Sequence, residues 1–166
     1  VLKYVSHVID KDVALHFIIS LYIPDLIDYF SFPPHLRYSI EERFCKREYN
    51  SVLRETRTYL FNKIHGKHDE PAEVDLDNTT SIWIKNGLIH RDNDLPAVIT
   101  TENLYMAWYQ YDHIHRDGDL PAVVYNNNFS VWYKRGKRHR DNDQPALIEP
   151  NGKRKWYNHG VFIKEM

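Results

Sequence analysis

The chain has 166 residues, with 22 Lys and Arg against 23 Asp and Glu, so its formal net charge is −1. This balance gives no reason to expect a nucleic acid, an anionic membrane or an acidic substrate as a partner. A hydrophobic content of 42%, which includes 12 Tyr, 7 Phe and 4 Trp, allows a real core and excludes a disordered polypeptide.

Cys45 is the single cysteine of the chain. It excludes an internal disulfide and a cysteine-based zinc cluster, and it fits a reducing compartment. The longest apolar stretch, residues 13–23, ends at Pro24 and is shorter than a bilayer requires. We therefore expect no transmembrane segment, and without a basic region before this stretch we expect no signal peptide.

Helical signals fill the first 57 residues. The densely apolar run 12–22 has the length of a helix, and Pro24 ends it and can begin a short second helix. Ser39 stands three residues before a glutamate, which is the spacing of a capping box. Apolar residues over 40–53 then recur on one face, which predicts an amphipathic helix that includes Cys45. The sequence thus predicts a helical region over residues 1–57.

From about residue 58 the sequence repeats with a period of 24 or 25 residues. A Pro-Ala pair recurs in phase with a histidine, as Pro71, Pro96, Pro121 and Pro145 and as His65, His90, His115 and His139. The four tryptophans lie seven residues before that histidine position, at Trp83, Trp108, Trp132 and Trp156. Such a period indicates units that bury their apolar faces by stacking. Residues 58–166 hold about four units and a terminal half unit.

Each unit has the pattern of a β-meander. A short β-branched and aromatic run, residues 81–85, precedes Asn86-Gly87, the dipeptide most typical of a type I′ hairpin turn. Glycine recurs at this turn as Gly87, Gly136 and Gly160, and Asp112 takes its place once. A returning strand, 88–90, comes next.

An Asp-x-Asp-x-Pro segment then predicts a second turn, since Asx residues bond to their own backbone and proline is excluded from central strands. It begins at Asp92, Asp117 and Asp141 and ends at Pro96, Pro121 and Pro145. The alanine after the proline begins the next strand. The predicted fold class is α+β, with an N-terminal helical region followed by an elongated antiparallel β-meander of about two strands per unit.

The stretch from Trp83 to His90 resembles the MORN repeat, which combines an aromatic residue, a turn glycine and a histidine in this order. The segment 134–139 has the same frame, and the first unit keeps His65-Gly66. Where MORN units continue with Gly-x-Gly, these units continue with Arg-Asp-x-Asp-x-Pro-Ala, which resembles the variant typical of giant DNA viruses of amoebae. The resemblance covers about residues 59–166 and brings no catalytic residues with it. It implies a twisted sheet used for self-association, scaffolding or membrane-proximal assembly.

Two catalytic or metal-binding interpretations of the His-Arg-Asp segment compete with a structural one. A kinase catalytic loop needs an asparagine five residues after the aspartate, where this chain has Ala97 and its equivalents. The pairs Asp92 and Asp94, Asp117 and Asp119, and Asp141 and Asp143 could approach a metal ion, but they lack the further oxygen ligands of a calcium loop. His113 and His115 have no evident third ligand. We expect instead that the first aspartate of each pair caps the turn and contacts the arginine of a neighbouring unit, Arg91, Arg116 or Arg140.

The tryptophans allow two interpretations, a partner-binding stripe or a core spine, and their regular phase favours the spine.

The sequence therefore predicts a non-catalytic module for protein–protein interaction or assembly, without cofactor or metal. Its setting by resemblance is a virus particle or the infected host cytoplasm, with viral structural proteins or its own copies as partners and no nucleic acid. Alternatives are a host-directed adaptor whose helical region binds a cellular protein and, more distantly, an enzyme with an unrecognised pocket.

Overall fold

The computed structural model describes residues 33–60, 63–126 and 128–166. It divides the chain into two compact units, Val1–Phe44 and Cys45–Met166, which are considered separately. The predicted helix over 12–22 and the short helix after it lie outside the described residues. Among the described residues, no helix is long and apolar enough to cross a membrane.

The described part of the first unit holds one helix, α1 (Pro34–Phe44). Proline fits the first helical position, where its missing N–H would have no partner within the helix. The backbone N–H groups of Leu36 and Arg37 both donate to the carbonyl of Pro33, at 3.0 and 3.1 Å. The predicted capping box at Ser39 is wrong, because this residue lies inside α1 and its hydroxyl donates to the carbonyl of His35 at 3.0 Å.

The predicted helix over 40–53 is wrong beyond Phe44. Cys45–Asn50 forms strand β1, which pairs antiparallel with β2 (Glu55–Leu60). The side chain of Asn50 accepts the backbone N–H groups of residues 52 and 53, both at 3.0 Å, and so forms the turn between the strands. Pairing with a threonine-rich and tyrosine-containing partner overrides a helical periodicity that holds only locally. The β region consequently begins at Cys45 rather than near residue 58.

The described part of the second unit contains one antiparallel sheet of twelve strands and three separate two-stranded hairpins. The remaining strands are β3 (Lys63–Ile64), β4 (Glu73–Asp75), β5 (Thr80–Ile82), β6 (Ile84–Lys85), β7 (Leu88–Ile89), β8 (Val98–Thr100), β9 (Tyr105–Ala107), β10 (Tyr109–Gln110), β11 (His113–Ile114), β12 (Val123–Val124), β13 (Ser130–Val131), β14 (Tyr133–Lys134), β15 (Lys137–Arg138), β16 (Leu147–Ile148), β17 (Arg154–Asn158) and β18 (Val161–Glu165).

The main sheet follows chain order from β1 to β18, as β1-β2-β4-β5-β8-β9-β12-β13-β16-β17-β18, with β3 beside β2. Every pairing is antiparallel, so the predicted β-meander is confirmed. The fold is mostly β, with the N-terminal helix α1 as the described helical part.

The prediction of about two strands per unit holds for the main sheet only. Each complete unit also forms a hairpin of its own, β6–β7, β10–β11 or β14–β15. The chain leaves the main sheet at the tryptophan. On the main-sheet side, the N–H of Trp83 donates to the carbonyl of Ala97 at 2.8 Å. The carbonyl of Trp83 accepts from His90 on the hairpin side at 3.1 Å. The predicted returning strand, 88–90, therefore pairs within the hairpin and not in the meander.

The predicted hairpin turns are confirmed. Asn86 and Gly87 have φ angles of 52° and 83°, and the equivalent residues Arg135 and Gly136 have 49° and 78°. In the unit without glycine, Tyr111 and Asp112 have 49° and 65°. Two consecutive positive φ values define the type I′ turn, whose twist matches that of the strands it joins.

The alanine of each Pro-Ala pair lies at the centre of the packing. Ala97, Ala122 and Ala146 are fully buried, and Ala72 is 1% exposed. Ala107 is also fully buried and forms a core cluster with Val123, Val131 and Leu147, against which a group of half-buried tyrosines packs. Because these positions have no free volume around them, they admit no side chain larger than a methyl group, which explains the recurrence of alanine.

Candidate functional site

The residues that sequence analysis singles out lie where successive units meet, so the candidate site is the boundary between units. Three of the four tryptophans are buried, with Trp83, Trp108 and Trp132 between 8% and 9% exposed. Each indole N–H donates to the backbone carbonyl of the preceding unit's second aspartate. The acceptors are Asp69, Asp94, Asp119 and, for Trp156, Asp143, at 2.8 to 3.0 Å.

An arginine lies over the face of each buried indole. The guanidinium carbons of Arg91, Arg116 and Arg140 are 3.8, 3.9 and 4.0 Å from the ring centroids of Trp83, Trp108 and Trp132. At this distance a guanidinium is attracted to the negative face of the ring. The indole rings of Trp83, Trp108 and Trp132 therefore each have an arginine over one face.

The same arginines bind the second aspartate of the preceding unit through two parallel hydrogen bonds. Arg116 donates from Nε and Nη2 to the carboxylate of Asp94 at 2.9 and 2.8 Å. Arg91 binds Asp69, and Arg140 binds Asp119, with the same geometry. The planar guanidinium of arginine can bind a carboxylate through two hydrogen bonds and stack on an indole at the same time, whereas the ammonium group of lysine cannot do both equally well.

The expected pairing of the first aspartate with a neighbouring arginine is wrong, because the second aspartate occupies that place. The first aspartate binds the histidine of its own unit, with Nε2 to Oδ1 distances of 2.9 Å for His90–Asp92 and 3.1 Å for His115–Asp117. Its other oxygen accepts from a hairpin side chain, as Asp92 does from Lys85 at 2.6 Å. The third pair, His139–Asp141, repeats this contact at 2.9 Å.

The environment of the first aspartates favours their charged form. The hydrogen bond from His90, followed by that from Lys85, holds the pKa of Asp92 well below its usual range, although partial burial acts in the opposite direction. At Asp117 the largest cause of the lowered pKa is the hydrogen bond from Gln110. Asp92 and Asp117 are therefore ionised at neutral pH.

The histidines connect each unit to the next hairpin. Nδ1 of His65 accepts the N–H of Asn86 at 2.9 Å, and Nδ1 of His139 faces the N–H of His159 at 3.4 Å. Where such a ring accepts at Nδ1, as in His115 and His139, its proton lies on Nε2, the atom that donates to the aspartate of the same unit. The second turn residue also donates to the previous hairpin, as Gly87 does to the carbonyl of Ile64 at 2.8 Å. The backbone hydrogen bond recurs at the turns of Gly87, Asp112, Gly136 and Gly160. The histidine hydrogen bond accompanies it at His65, His115 and His139, and the ring of His90 stacks on that of Tyr111.

The terminal half unit departs from this pattern. Lys164 takes the arginine position, with Nζ 4.9 Å from the centroid of Trp156 and 3.4 Å from the carboxylate of Asp143. Ile163 stands in phase with the histidines and is 55% exposed. Instead of turning after the histidine position, the chain continues in β18 up to Glu165.

Clefts at two unit boundaries are bordered by these polar groups. One, of about 170 Å³, is lined by the His115–Asp117 and His139–Asp141 pairs and by Lys134. In residues 33–60, 63–126 and 128–166, no cluster of three or more His, Cys, Asp and Glu side chains could hold a metal ion. The two aspartates of each Asp-x-Asp pair also have different partners: the first contacts a histidine, and the second contacts an arginine at Asp94 and Asp119 and a lysine at Asp143. His113 is exposed and its Nδ1 lies 2.8 Å from the carbonyl of Tyr111.

No family model, curated protein or solved structure matches this chain. The resemblance to MORN repeats remains a prediction from the sequence pattern. Sequence analysis missed the role of the second aspartates, Asp69, Asp94 and Asp119. Their signal was present, because an aspartate recurs two residues before the proline even in the first unit, which lacks the first aspartate.

Proposed function

We propose that this protein is a non-catalytic module for protein–protein interaction or assembly that acts in the structure or scaffolding of a virus particle. The observation that carries the proposal is that the side chains capable of catalysis or metal binding are engaged in contacts within or between repeat units. His, Asp, Arg and Trp recur together in the three units of Trp83, Trp108 and Trp132, and each type is engaged in contacts within or between units. An active site needs its residues in one place, whereas a stack of units needs them at each boundary.

The viral setting rests on the resemblance of the Arg-Asp-x-Asp-x-Pro-Ala variant to repeats of giant DNA viruses of amoebae. In this proposal the protein resides in the virion or in the infected host cytoplasm, and viral structural proteins or further copies of the chain are its partners. The balanced net charge of −1 supports a protein partner over nucleic acid.

Co-purification of the tagged full-length chain, followed by mass spectrometry, tests the proposal. A particle component is expected to recover the same few neighbours in similar amounts from purified particles and from infected cells. Turnover of a substrate by the purified chain, or recovery of none of the particle proteins, would contradict the proposed function.

A second candidate is a host-directed adaptor whose N-terminal region binds a cellular protein. The observation in its favour is that Val1–Phe44 forms a compact unit of its own, outside the periodic sequence. Deletion of residues 1–44 separates the two candidates. It leaves β1 intact, whereas deletion of residues 1–57 would remove this strand. The adaptor predicts that this truncation loses the cellular partner, and the assembly module predicts that it keeps the particle proteins.

A further inference from the structure

The hairpin β14–β15 differs in charge from the hairpins at the same place in the two preceding units. Residues 134–138 read Lys-Arg-Gly-Lys-Arg, whereas residues 85–89 read Lys-Asn-Gly-Leu-Ile and residues 110–114 read Gln-Tyr-Asp-His-Ile. All three segments form the same pair of short antiparallel strands around a tight turn. The fold therefore does not require the four cations of β14–β15, because the other two hairpins form without them.

This hairpin reverses the charge of its repeat unit. Residues 130–153 contain six Lys and Arg against three Asp and Glu, whereas residues 80–104 contain two against three and residues 105–129 contain one against three. The net charge of −1 for the whole chain thus conceals a local excess of positive charge inside the array. A clustered excess of one sign attracts groups of the opposite sign, whatever the total charge of the protein.

Two cations at the tip of this hairpin are exposed and carry no internal ion pair. Arg135 and Lys137 are exposed on either side of Gly136. Within the described part of the chain, neither side chain forms an ion pair with a carboxylate, whereas Nζ of Lys134 lies 3.0 Å from the carboxylate of Asp141. The charges of Arg135 and Lys137 are therefore available to a partner.

The neighbouring hairpins do not neutralise these two charges. On the preceding hairpin the ring of His113 lies beside Gly136, since a β-carbon at this glycine would be 3.7 Å from its Cδ2. The carboxylate of Asp112, in the same preceding turn, accepts a backbone N–H of the hairpin before it at 2.6 Å. On the following hairpin Lys137 approaches a glycine, because a β-carbon at Gly160 would be 3.9 Å from its Cβ. Histidine and glycine thus flank the basic tip.

We propose that the tip of β14–β15, formed by Arg135 and Lys137, binds a short acidic segment of a partner protein. This inference rests on the proposed function as a protein-interaction module and deepens it by naming a surface and the chemistry of the partner. The guanidinium of Arg135 can bind one carboxylate through two hydrogen bonds, and the ammonium group of Lys137 can bind a second one. Salt screens such exposed contacts, so binding is expected to weaken as ionic strength rises.

The small extent of the basic surface favours an acidic protein segment over a nucleic acid. Successive hairpins are two main-sheet strands apart, or about 10 Å, and the turns on either side of β14–β15 do not continue its cations. A nucleic acid carries a phosphate at every nucleotide and is bound by a track of several cations. Along this surface it would also meet Asp117 and Asp141, which border the cleft beside the hairpin. An acidic peptide needs only two carboxylates at the tip.

Fluorescence anisotropy of a labelled oligo-glutamate peptide, titrated with the full-length chain at low ionic strength, tests the proposal. Arg135→Asn combined with Lys137→Gln is expected to weaken binding about tenfold, because both exposed contacts are lost. Asparagine suits this turn, since Asn86 has the equivalent place with a φ of 52°. The matched control is Lys46→Gln with Arg47→Gln, which removes the same charge from exposed positions of β1. This control is expected to bind the peptide like the original chain.

Hydrogen exchange of the original chain gives a second measurement that needs no variant. The peptide is expected to protect the amides of β14–β15, and protection confined to other strands would overturn the proposal. Absence of peptide binding, or equal weakening in the two double variants, would overturn it as well. The same holds if an oligothymidylate of equal charge, or an anionic vesicle, binds more tightly than the peptide through Arg135 and Lys137.

Co-purification distinguishes failure of this surface from failure of the proposed function. If the peptide does not bind while particle proteins still co-purify with the chain, the acidic-segment inference is wrong and the assembly function stands. If the peptide binds through Arg135 and Lys137 while no particle protein co-purifies, the particle role is rejected and the surface stands.

Discussion

Replacing Arg116 with lysine keeps the positive charge and removes the planar guanidinium that joins two successive units. The guanidinium stacks 3.9 Å from the centroid of Trp108 and binds both carboxylate oxygens of Asp94. The side chain of Arg116 is 16% exposed and that of Asp94 is 51% exposed, so solvent screens part of the ion pair. The stacking contact is worth about 1 kcal/mol and the screened ion pair adds less than about 1 kcal/mol.

Since lysine retains one contact with the carboxylate, Arg116→Lys is expected to lower the free energy of unfolding by about 1.5 kcal/mol. For a chain of this size the corresponding fall in melting temperature is about 3–6 °C. Urea denaturation followed by tryptophan fluorescence measures the free energy, and a thermal scan measures the temperature.

Arg135→Lys is the matched control for this measurement. Arg135 is exposed at the tip of the β14–β15 turn, where its substitution is expected to change stability by less than about 0.5 kcal/mol. If the two variants lose the same stability, the arginine stack does not join the units energetically. A double-mutant cycle of Arg116→Ala and Asp94→Ala then separates the ion pair from the stacking, with a coupling energy near zero counting against the pair.

Three further predictions concern pH and packing. Because its pKa is lowered chiefly by the hydrogen bond from His90, Asp92 contributes stability that is complete above its unfolded pKa of about 3.9. This contribution is lost as pH falls through the lower folded pKa, so Asp92→Asn should flatten the acid limb of an unfolding curve. Burial, followed by nearby Tyr109, raises the pKa of Tyr105 to about 12. Burial also raises the pKa of Tyr109, so ultraviolet titration should show a late-ionising fraction of the tyrosines that Tyr105→Phe reduces; ionisation of every tyrosine near pH 10 would contradict this. Ala122 is fully buried, so Ala122→Val should destabilise the chain by about 1–3 kcal/mol, and an unchanged urea midpoint would show that free volume exists there.

How far the sequence predicts this structure depends on the range of the interaction concerned. The turn at Asn86-Gly87 was predictable because two adjacent residues decide it by their tolerance of positive φ. The strand Cys45–Asn50 was not, because its helical periodicity competes with pairing to a strand beyond its own turn. Local sequence patterns therefore predict turns, but they do not predict which segments pair as strands across a turn.

The same distinction explains the candidate site. Periodicity identified Trp108 and the aspartates of each turn, but spacing alone treats Asp92 and Asp94 alike. The position of the next unit distinguishes them, because it directs Arg116 to Asp94 and leaves Asp92 to His90. The departure of each hairpin from the main sheet was also missed, since a strand of two residues carries little periodic signal.

The direction of these contacts shows why no unit is complete by itself. In one unit, Trp108 and Arg116 bind backward, to Asp94 of the preceding unit, while His115 accepts forward, from the N–H of Arg135 in the next hairpin. In the first unit Gly66 takes the arginine position, and a β-carbon there would overlap the carbonyl oxygen of Glu70. This unit supplies Asp69 to the next unit. Its own arginine position admits only glycine, because any side chain there would overlap the backbone. At the other end the terminal half unit, with lysine in place of arginine, keeps the backward contact in a weaker form and leaves an apolar strand facing outward. Successive units of this chain therefore depend on one another for the contacts that bury their recurring side chains.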